Sequence, residues 1–322
     1  MDARITKSRL GNFLSYDWLK IIAAILAVVF VLIVFFTTIK TRARNEQEFI
    51  IYAYSTTQSV SGGDADMTLY NGAEADAFAD TLLSSGAFSY DVLQATYENL
   101  GSDQYSETLF TARRMAGQGT VMLVSDYISS GKDPEQAELG SSLDILFSGV
   151  TDEFAYDPDE YFSECEQYLQ RFFGEDWENG ELNEEEAEAC FLARNEKDNR
   201  YHLASQKQQG IEDEKERLYK LREDYLFVQE NCFGTGLYTL AEVTILVDDY
   251  REETTTGNYA INIGALPALR NLVYHIVEEG ETSVQSSEDI CLVILKNPDR
   301  MESDLRFETV SFLRYLYEEY GA

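Results

Sequence analysis

Two stretches put chemically able side chains directly after short apolar runs. "LFTARRMAGQGTVMLVSDY" (Leu109 to Tyr127) ends at Ser125, Asp126 and Tyr127, and "EFIIYAYSTT" (Glu48 to Thr57) ends at Tyr54, Ser55, Thr56 and Thr57. Hydroxyl, carboxylate and phenol groups gathered at strand ends can hydrogen-bond a cationic or hydroxylated ligand. Ser and Asp also serve in ordinary turns and caps, where they bond only backbone. Tyr54, Ser55, Ser125, Asp126 and Tyr127 form the candidate ligand-binding set, with Asp126 expected to answer a cation.

The remaining chemistry is sparse. The two histidines are His202, in an acidic stretch, and His275, in "RNLVYHIVEEG" with Glu278 three residues on. On a helix that pair could share a face and join a metal site, but no H-E-x-x-H is present and a packed or surface histidine is the expectation. The sequence has no G-x-S-x-G, no G-x-x-x-x-G-K-[ST] and no G-x-G-x-x-G, and "GQGTV" has no lysine beside it. Neither "DADMTLYNGAE" nor "YDPDEYF" has the spacing of a calcium loop. Cys165, Cys190, Cys232 and Cys291 contain no C-x-x-C, so they read as two disulfide bridges or as buried free thiols. No catalytic residue, metal site or cofactor is assigned, and the chain is not expected to be an enzyme. Tyr54, Tyr97 and Tyr127 fall near strand ends, but most of the 21 tyrosines and 18 phenylalanines are expected to fill cores.

The elements that must position these groups alternate. "EFIIYAY" is a strand, followed by a helix over 69–83 with Ala75, Phe78 and Leu82 on one stripe. "FSYDVLQATYEN" reads as a strand by its period of two. A helix capped at Asp103 carries Tyr105, Leu109, Ala112 and Ala116 on one face, and Gly117 or Gly119 ends it. "TVMLVS" is a buried strand. This β-α-β-α-β order implies a parallel sheet, whose ligands sit beyond the carboxyl ends of the strands.

The middle, about 152–233, is acidic and helical. Helices start near Asp157 and near Asn183 or Glu184. The longest, over 210–232, carries Ile211, Leu218, Leu221, Tyr225 and Val228 on one stripe, with Asp213–Arg217 and Glu216–Lys220 in the favourable acid-first order. A return follows: a strand in "NYAINIG", a helix in "LPALRNLVYHIVEEG" between Pro267 and Gly280, a strand in "DICLVILK", and a last helix capped at Ser303 or Asp304. "DDYREETTTG", Asp248 to Gly257, reads as an exposed loop.

"IIAAILAVVFVLIVFFTTI", Ile21 to Ile39, is nineteen residues without a charge, long enough for a membrane-spanning helix. It exceeds a signal-peptide core, and no Ala-x-Ala site follows it. Tyr16 and Trp18 sit where an interfacial aromatic belt lies. Residues 1–44 hold seven basic and two acidic residues, leaving 18 basic and 56 acidic beyond them, a net charge of −38. That charge repels nucleic acid and attracts cations and basic peptides.

A tethered α/β part, a helical middle and a return to strand and helix resemble the extracellular solute-binding proteins of ABC importers, closest to membrane-anchored members from Gram-positive bacteria. The stretches that carry the resemblance are "EFIIYAYS", "YDVLQATYENLGSDQYSETLFTARRMAGQGTVMLVSDY", "FLARNEKDNRY" with "QKQQGIEDEKERLYKLRE", and "DLRFETVSFLRYLYEEYG". The resemblance implies a bilobal, periplasmic-binding-protein-like (type 2) α/β domain after one N-terminal transmembrane helix. It divides the chain into a cytoplasmic segment (1–20), the membrane helix (21–39), a juxtamembrane linker (40–47) and an extracytoplasmic domain (48–322). That domain comprises a first lobe (48–150), a helical middle (151–235) and a strand-helix return (236–322). It implies capture of a small polar or cationic solute between lobes, an ABC permease as partner, and a single-pass place in the cell membrane. Two departures favour an alternative, a cell-surface interaction or accessory protein without a solute. The family's aspartate near Gly119-Thr120-Val121 is missing, and a membrane helix replaces the usual lipidated cysteine.

Overall fold

The computed structural model describes residues 22–23, 25–32, 43–54, 68–69, 73–100, 104–127, 141–148, 154–196, 198–248, 253–279, 282–297, 301 and 303–321. The chain divides into two units, Met1–Ala43 and Arg44–Ala322. In the first, residues 22–23 and 25–32 are helical, and large apolar side chains along them are exposed, Phe30 by 67%. Among the described residues no helix is long and apolar enough to cross a membrane. The rest of the span from Ile21 to Ile39 lies outside them.

The second unit is mixed α/β. Its elements begin with β1 (Glu48–Tyr54), β2 (Thr68–Leu69), α1 (Ala73–Ser84), β3 (Gln94–Leu100), α2 (Gln104–Met115) and β4 (Val121–Ser125). Then come α3 (Ser142–Ser148), α4 (Pro158–Phe173), α5 (Glu184–Arg194) and α6 (Ala204–Phe227), with a π-helical turn at Val228–Phe233. β5 (Thr239–Asp248), β6 (Glu253–Asn262), β7 (Val273–Glu279), β8 (Thr282–Ser286), β9 (Ile290–Ile294) and α7 (Glu308–Tyr320) complete it.

Among the described residues six strands form one sheet in the order β3-β1-β4-β9-β6-β5. β1 runs parallel to β3 and β4, and the sheet then continues antiparallel through β9, β6 and β5. Strands from residues 48–125 and 239–294 therefore share a single sheet. β4 and β9 are buried along their whole length, as apolar strands covered on both faces must be. The alternation of side chains sorts them into two cores. Phe49, Ile51, Ala53, Val121 and Leu123 join α1, α4, α6 and α7 on one face. Ile50, Tyr52, Met122 and Val124 meet Leu143, Phe147 and Phe154 on the other, where Phe110 of α2 packs edge-on against Tyr52. Consecutive crossovers thus lie on opposite faces, the arrangement of doubly wound sheets.

Two helix starts follow the expected caps: Asp157 accepts the Asp159 N–H at 2.8 Å, and Asn183 accepts that of Glu186 at 3.2 Å. Ser303 accepts the Leu305 N–H at 3.2 Å but caps a 3-10 turn, Asp304–Phe307, and α7 follows it without a side-chain cap. Asp103 lies outside the described residues. Between α2 and β4 the chain turns at Gly117 and Gly119, both at positive φ. Gly119 also lies against the sheet, and a Cβ there would stand 2.7 Å from Tyr52 Cε2 and 3.0 Å from Leu295 Cδ1. Gly119→Ala is expected to cost about 2–3 kcal/mol from backbone strain and overpacking, read as a shifted urea midpoint at constant slope.

Several sequence expectations are corrected. The helix expected over 266–280 is a short 3-10 turn, Leu269–Asn271, followed by strand β7. β7 pairs antiparallel with β8 and with β2, forming a second sheet in the order β2-β7-β8. Residues 248–257 are not a loop throughout, because β6 starts at Glu253 and pairs Glu253 with Asp248. The strand read from Phe88 begins only at Gln94, and the helix read from residue 69 begins at Ala73, with β2 before it. β5, β8 and α3 had no counterpart in the sequence reading. In α6 the expected ion pairs are replaced: Arg217 joins Glu214, and Lys220 joins Asp224.

Candidate functional site

The carboxyl end of β4 carries three of the five predicted site residues. Ser125 is 5% exposed, and its Oγ lies 3.2 Å from His275 Nδ1 and accepts the Tyr127 N–H at 3.1 Å. The Tyr127 ring stacks on the His275 imidazole at a centroid distance of 4.5 Å and an interplanar angle of 13°. The hydroxyl and Nδ1 share one hydrogen bond, whose direction follows the imidazole tautomer. The other ring nitrogen, Nε2, is buried and has no partner among the described residues. β7 thus lays His275, wholly buried, against the end of β4.

Asp126 serves a different neighbour. Its N–H donates to the Asp289 carbonyl at 2.7 Å, and its Oδ1 accepts the Ser141 hydroxyl at 2.7 Å. Ser141 caps α3 in a reciprocal box: its Oγ accepts the Asp144 N–H at 3.0 Å, and Asp144 Oδ2 accepts the Ser141 N–H at 3.0 Å. Asp289 holds φ of 59°, the left-handed conformation that aspartate tolerates better than most residues, and there offers its carbonyl to β4. Tyr54 ends β1 and packs partly buried in the smaller core. Ser55, Thr56 and Thr57 lie outside the described residues.

Burial sets the electrostatics of this rim. Desolvation raises the Asp126 pKa, outweighing the Ser141 hydrogen bond, and the nearby carboxylates of Asp144 and Asp289 raise it further. Desolvation also lowers the His275 pKa to about 4, with Asp289 pulling weakly the other way. A serine beside an imidazole is the pair that activates a hydroxyl nucleophile. Here Oγ lies beneath the surface and is occupied by Nδ1 and the Tyr127 N–H, so the pair packs the rim. His275 lies on strand β7 and not on a helix, so the helical i, i+3 spacing to Glu278 that suggested a shared face does not apply. His202 is exposed, with Nε2 2.8 Å from Asn199 Oδ1.

A second polar cluster, between α5, α6 and the turn before β3, has no local signal in the sequence. Glu214, wholly buried, receives Arg194 Nη2 at 2.5 Å, Arg217 Nη2 at 2.9 Å and the Tyr90 hydroxyl at 2.9 Å. Arg217 also donates to the Tyr168 hydroxyl. Asp91, also wholly buried, pairs with Arg194 at 3.1 Å and Arg200 at 2.5 Å. Desolvation raises the Glu214 pKa, but the two guanidiniums outweigh it and hold the carboxyl at about 2. Cys190 stands at the edge, its thiol 3.2 Å from Asp304 Oδ2, and burial with that carboxylate pushes it up to about 12, away from reactive thiolate. All four cysteines are free thiols, and Cys165, Cys232 and Cys291 are buried.

No family model, curated protein or solved structure matches this chain. The resemblance to solute-binding proteins therefore stands on the sequence stretches that suggested it. The class that the geometry defines is a mixed α/β domain with a polar rim at the end of β4.

Proposed function

We propose that the chain is a single-pass membrane protein whose acidic domain lies outside the cytoplasm and acts as a surface interaction or accessory module that carries no solute. One observation carries this reading: the rim where a parallel sheet would hold a ligand is filled by the chain's own side chains. Tyr127 covers His275, His275 and Ser125 bond each other, and Asp126 is committed to the cap of α3. One sheet running through both expected lobes adds to it, since closure around a solute needs two bodies that move apart. The net charge of −38 beyond residue 44 favours a partner with basic groups. The exposed apolar side chains of residues 22–32 support the anchor.

Solute capture, with delivery to an ABC permease, keeps one supporting observation. Ser125, Asp126 and Tyr127 do converge beyond a parallel strand, beside a buried imidazole nitrogen without a partner. Thermal unfolding of the full chain against amino acids, sugars and short peptides separates the two readings. The expected result is no stabilisation that depends on Asp126 or Tyr127. A ligand that raises the wild-type midpoint by several degrees, and loses that effect in Asp126→Ala, would restore capture.

A further inference from the structure

We propose that the cleft between α4 and the π-helical turn after α6 binds a small organic cation of the alkylammonium class. The cleft, about 290 Å³, is lined by Asp159, Phe162, Glu166, Tyr225, Gln229 and Phe233, among others. Its floor is aromatic: Phe162 meets Phe233 edge-on at 5.4 Å and Tyr225 at 5.8 Å. These rings, with Phe233 only partly buried, give the cleft an aromatic, apolar wall, which suits an organic cation better than a strongly hydrated metal ion. The rim supplies the charge. Glu166 Oε1 accepts the Tyr225 hydroxyl at 2.5 Å, which fixes the carboxylate and leaves its other oxygen for a further donor. Asp159 stands at the opening of α4, its backbone N–H held by Asp157, and lines the same cleft.

Neighbouring carboxylates of α4 differ in their partners. Glu160 pairs with Lys296 at 3.1 Å and Glu164 with Arg306 at 3.4 Å, whereas neither Asp159 nor Glu166 has a Lys or Arg partner among the described residues. The helix is also widened at this place. The Gly234 N–H donates to the Gln229 carbonyl at 2.9 Å, five residues back, and this register brings both Gln229 and Phe233 to the cleft. Single π turns of this kind recur at functional sites. An ammonium group held by Glu166 and Asp159, with its alkyl chain along Phe162 and Phe233, satisfies both the charge and the apolar floor. The strongly negative domain raises the local cation concentration.

Calorimetric titration of the full chain with diaminobutane, at low and high salt, tests this directly. Saturable binding that weakens with salt is expected. Glu166→Gln, which can still accept the Tyr225 hydroxyl, and Phe233→Ala should each weaken it by about tenfold or more. Glu160→Gln, outside the cleft, should leave it unchanged, and Asp126→Ala likewise, which separates this cleft from the β4 rim. Absence of saturable binding, or equal affinity in wild type, Glu166→Gln and Phe233→Ala, overturns the proposal.

Discussion

Glu214→Gln is expected to lower the unfolding free energy by about 3–5 kcal/mol, the range found when one partner of a buried ion pair is removed. Glu214 is the single carboxylate between Arg194 and Arg217, and Arg217 is 3% exposed, so water cannot replace the lost charge. Arg194 keeps Asp91 and the more distant Asp304, whereas Arg217 is left with no carboxylate partner among the described residues, and with the Tyr168 hydroxyl and the one amide oxygen of the new glutamine as acceptors. The effect should therefore be largely relieved by Arg217→Met in the same chain, because an uncharged side chain of similar length needs no counter-charge. Urea unfolding of both singles and the double at neutral pH gives the cycle. A loss below about 1 kcal/mol in Glu214→Gln, or strict additivity with Arg217→Met, would show that the network contributes little. The same carboxyl sets an acid limit. Its folded pKa of about 2 lies below the unfolded value of 4.5, so its contribution is present above pH 4.5 and is lost as pH falls toward 2.

That network also shows where local sequence signals end. Asp91, Arg194, Arg200, Glu214, Arg217 and Asp304 come from separated parts of the chain, and each alone looks like a solvated charge. Only α6 carried a readable clue: its stripe of Ile211, Leu218, Leu221, Tyr225 and Val228 is buried, as the spacing requires. The apolar runs of β1, β4 and β9 were legible for a related reason, since a strand covered on both faces has no polar positions to confuse it. The stretch 266–280 misled because Leu269, Leu272, Val273 and Ile276 fall at spacings of three, four and seven, a helical pattern. Pairing with β8 overrides it, and the β-branched Val273, Ile276 and Val277 suit a strand better than a helix. That single error hid the site. As a helical residue His275 had no reason to meet Ser125, 150 positions away, whereas on β7 it packs against the end of β4. Asp126 was correctly placed at a strand end, but its engagement with Ser141 depends on α3, which the sequence reading did not contain.

His275 gives the second large effect, a loss of stability with acid that belongs to the β4 rim itself. Burial lowers its folded pKa to about 4 against an ordinary value of 6.5, so the folded state resists the imidazolium. The sign follows: the neutral ring's contribution is complete above pH 6.5 and is lost as pH falls toward 4. The difference corresponds to about 3 kcal/mol, each unit of displacement being about 1.4 kcal/mol. Structurally, an imidazolium donates from both nitrogens: Nδ1–H to Ser125 Oγ, which also receives the Tyr127 N–H, and Nε2–H into a buried position without a partner among the described residues. Among the described residues no carboxylate lies within hydrogen-bond range of the charged ring, and the stacked Tyr127 ring offsets only part of that loss. Asp126 opposes this trend, because its raised pKa makes the folded state favour the protonated carboxyl and so gain relative stability as pH falls. Comparing wild type with His275→Gln across pH 7 to 4 isolates the histidine, since the many carboxylates titrate in both chains. The wild type should lose about 3 kcal/mol more than the variant over that interval. A second readout is the imidazole itself: its proton resonances, assigned by their loss in His275→Gln, should show the ring still neutral at pH 5 in the folded wild type. Parallel stability curves for the two chains would mean that the imidazole is not held neutral, and the closed rim on which the accessory reading stands would have to be open to water.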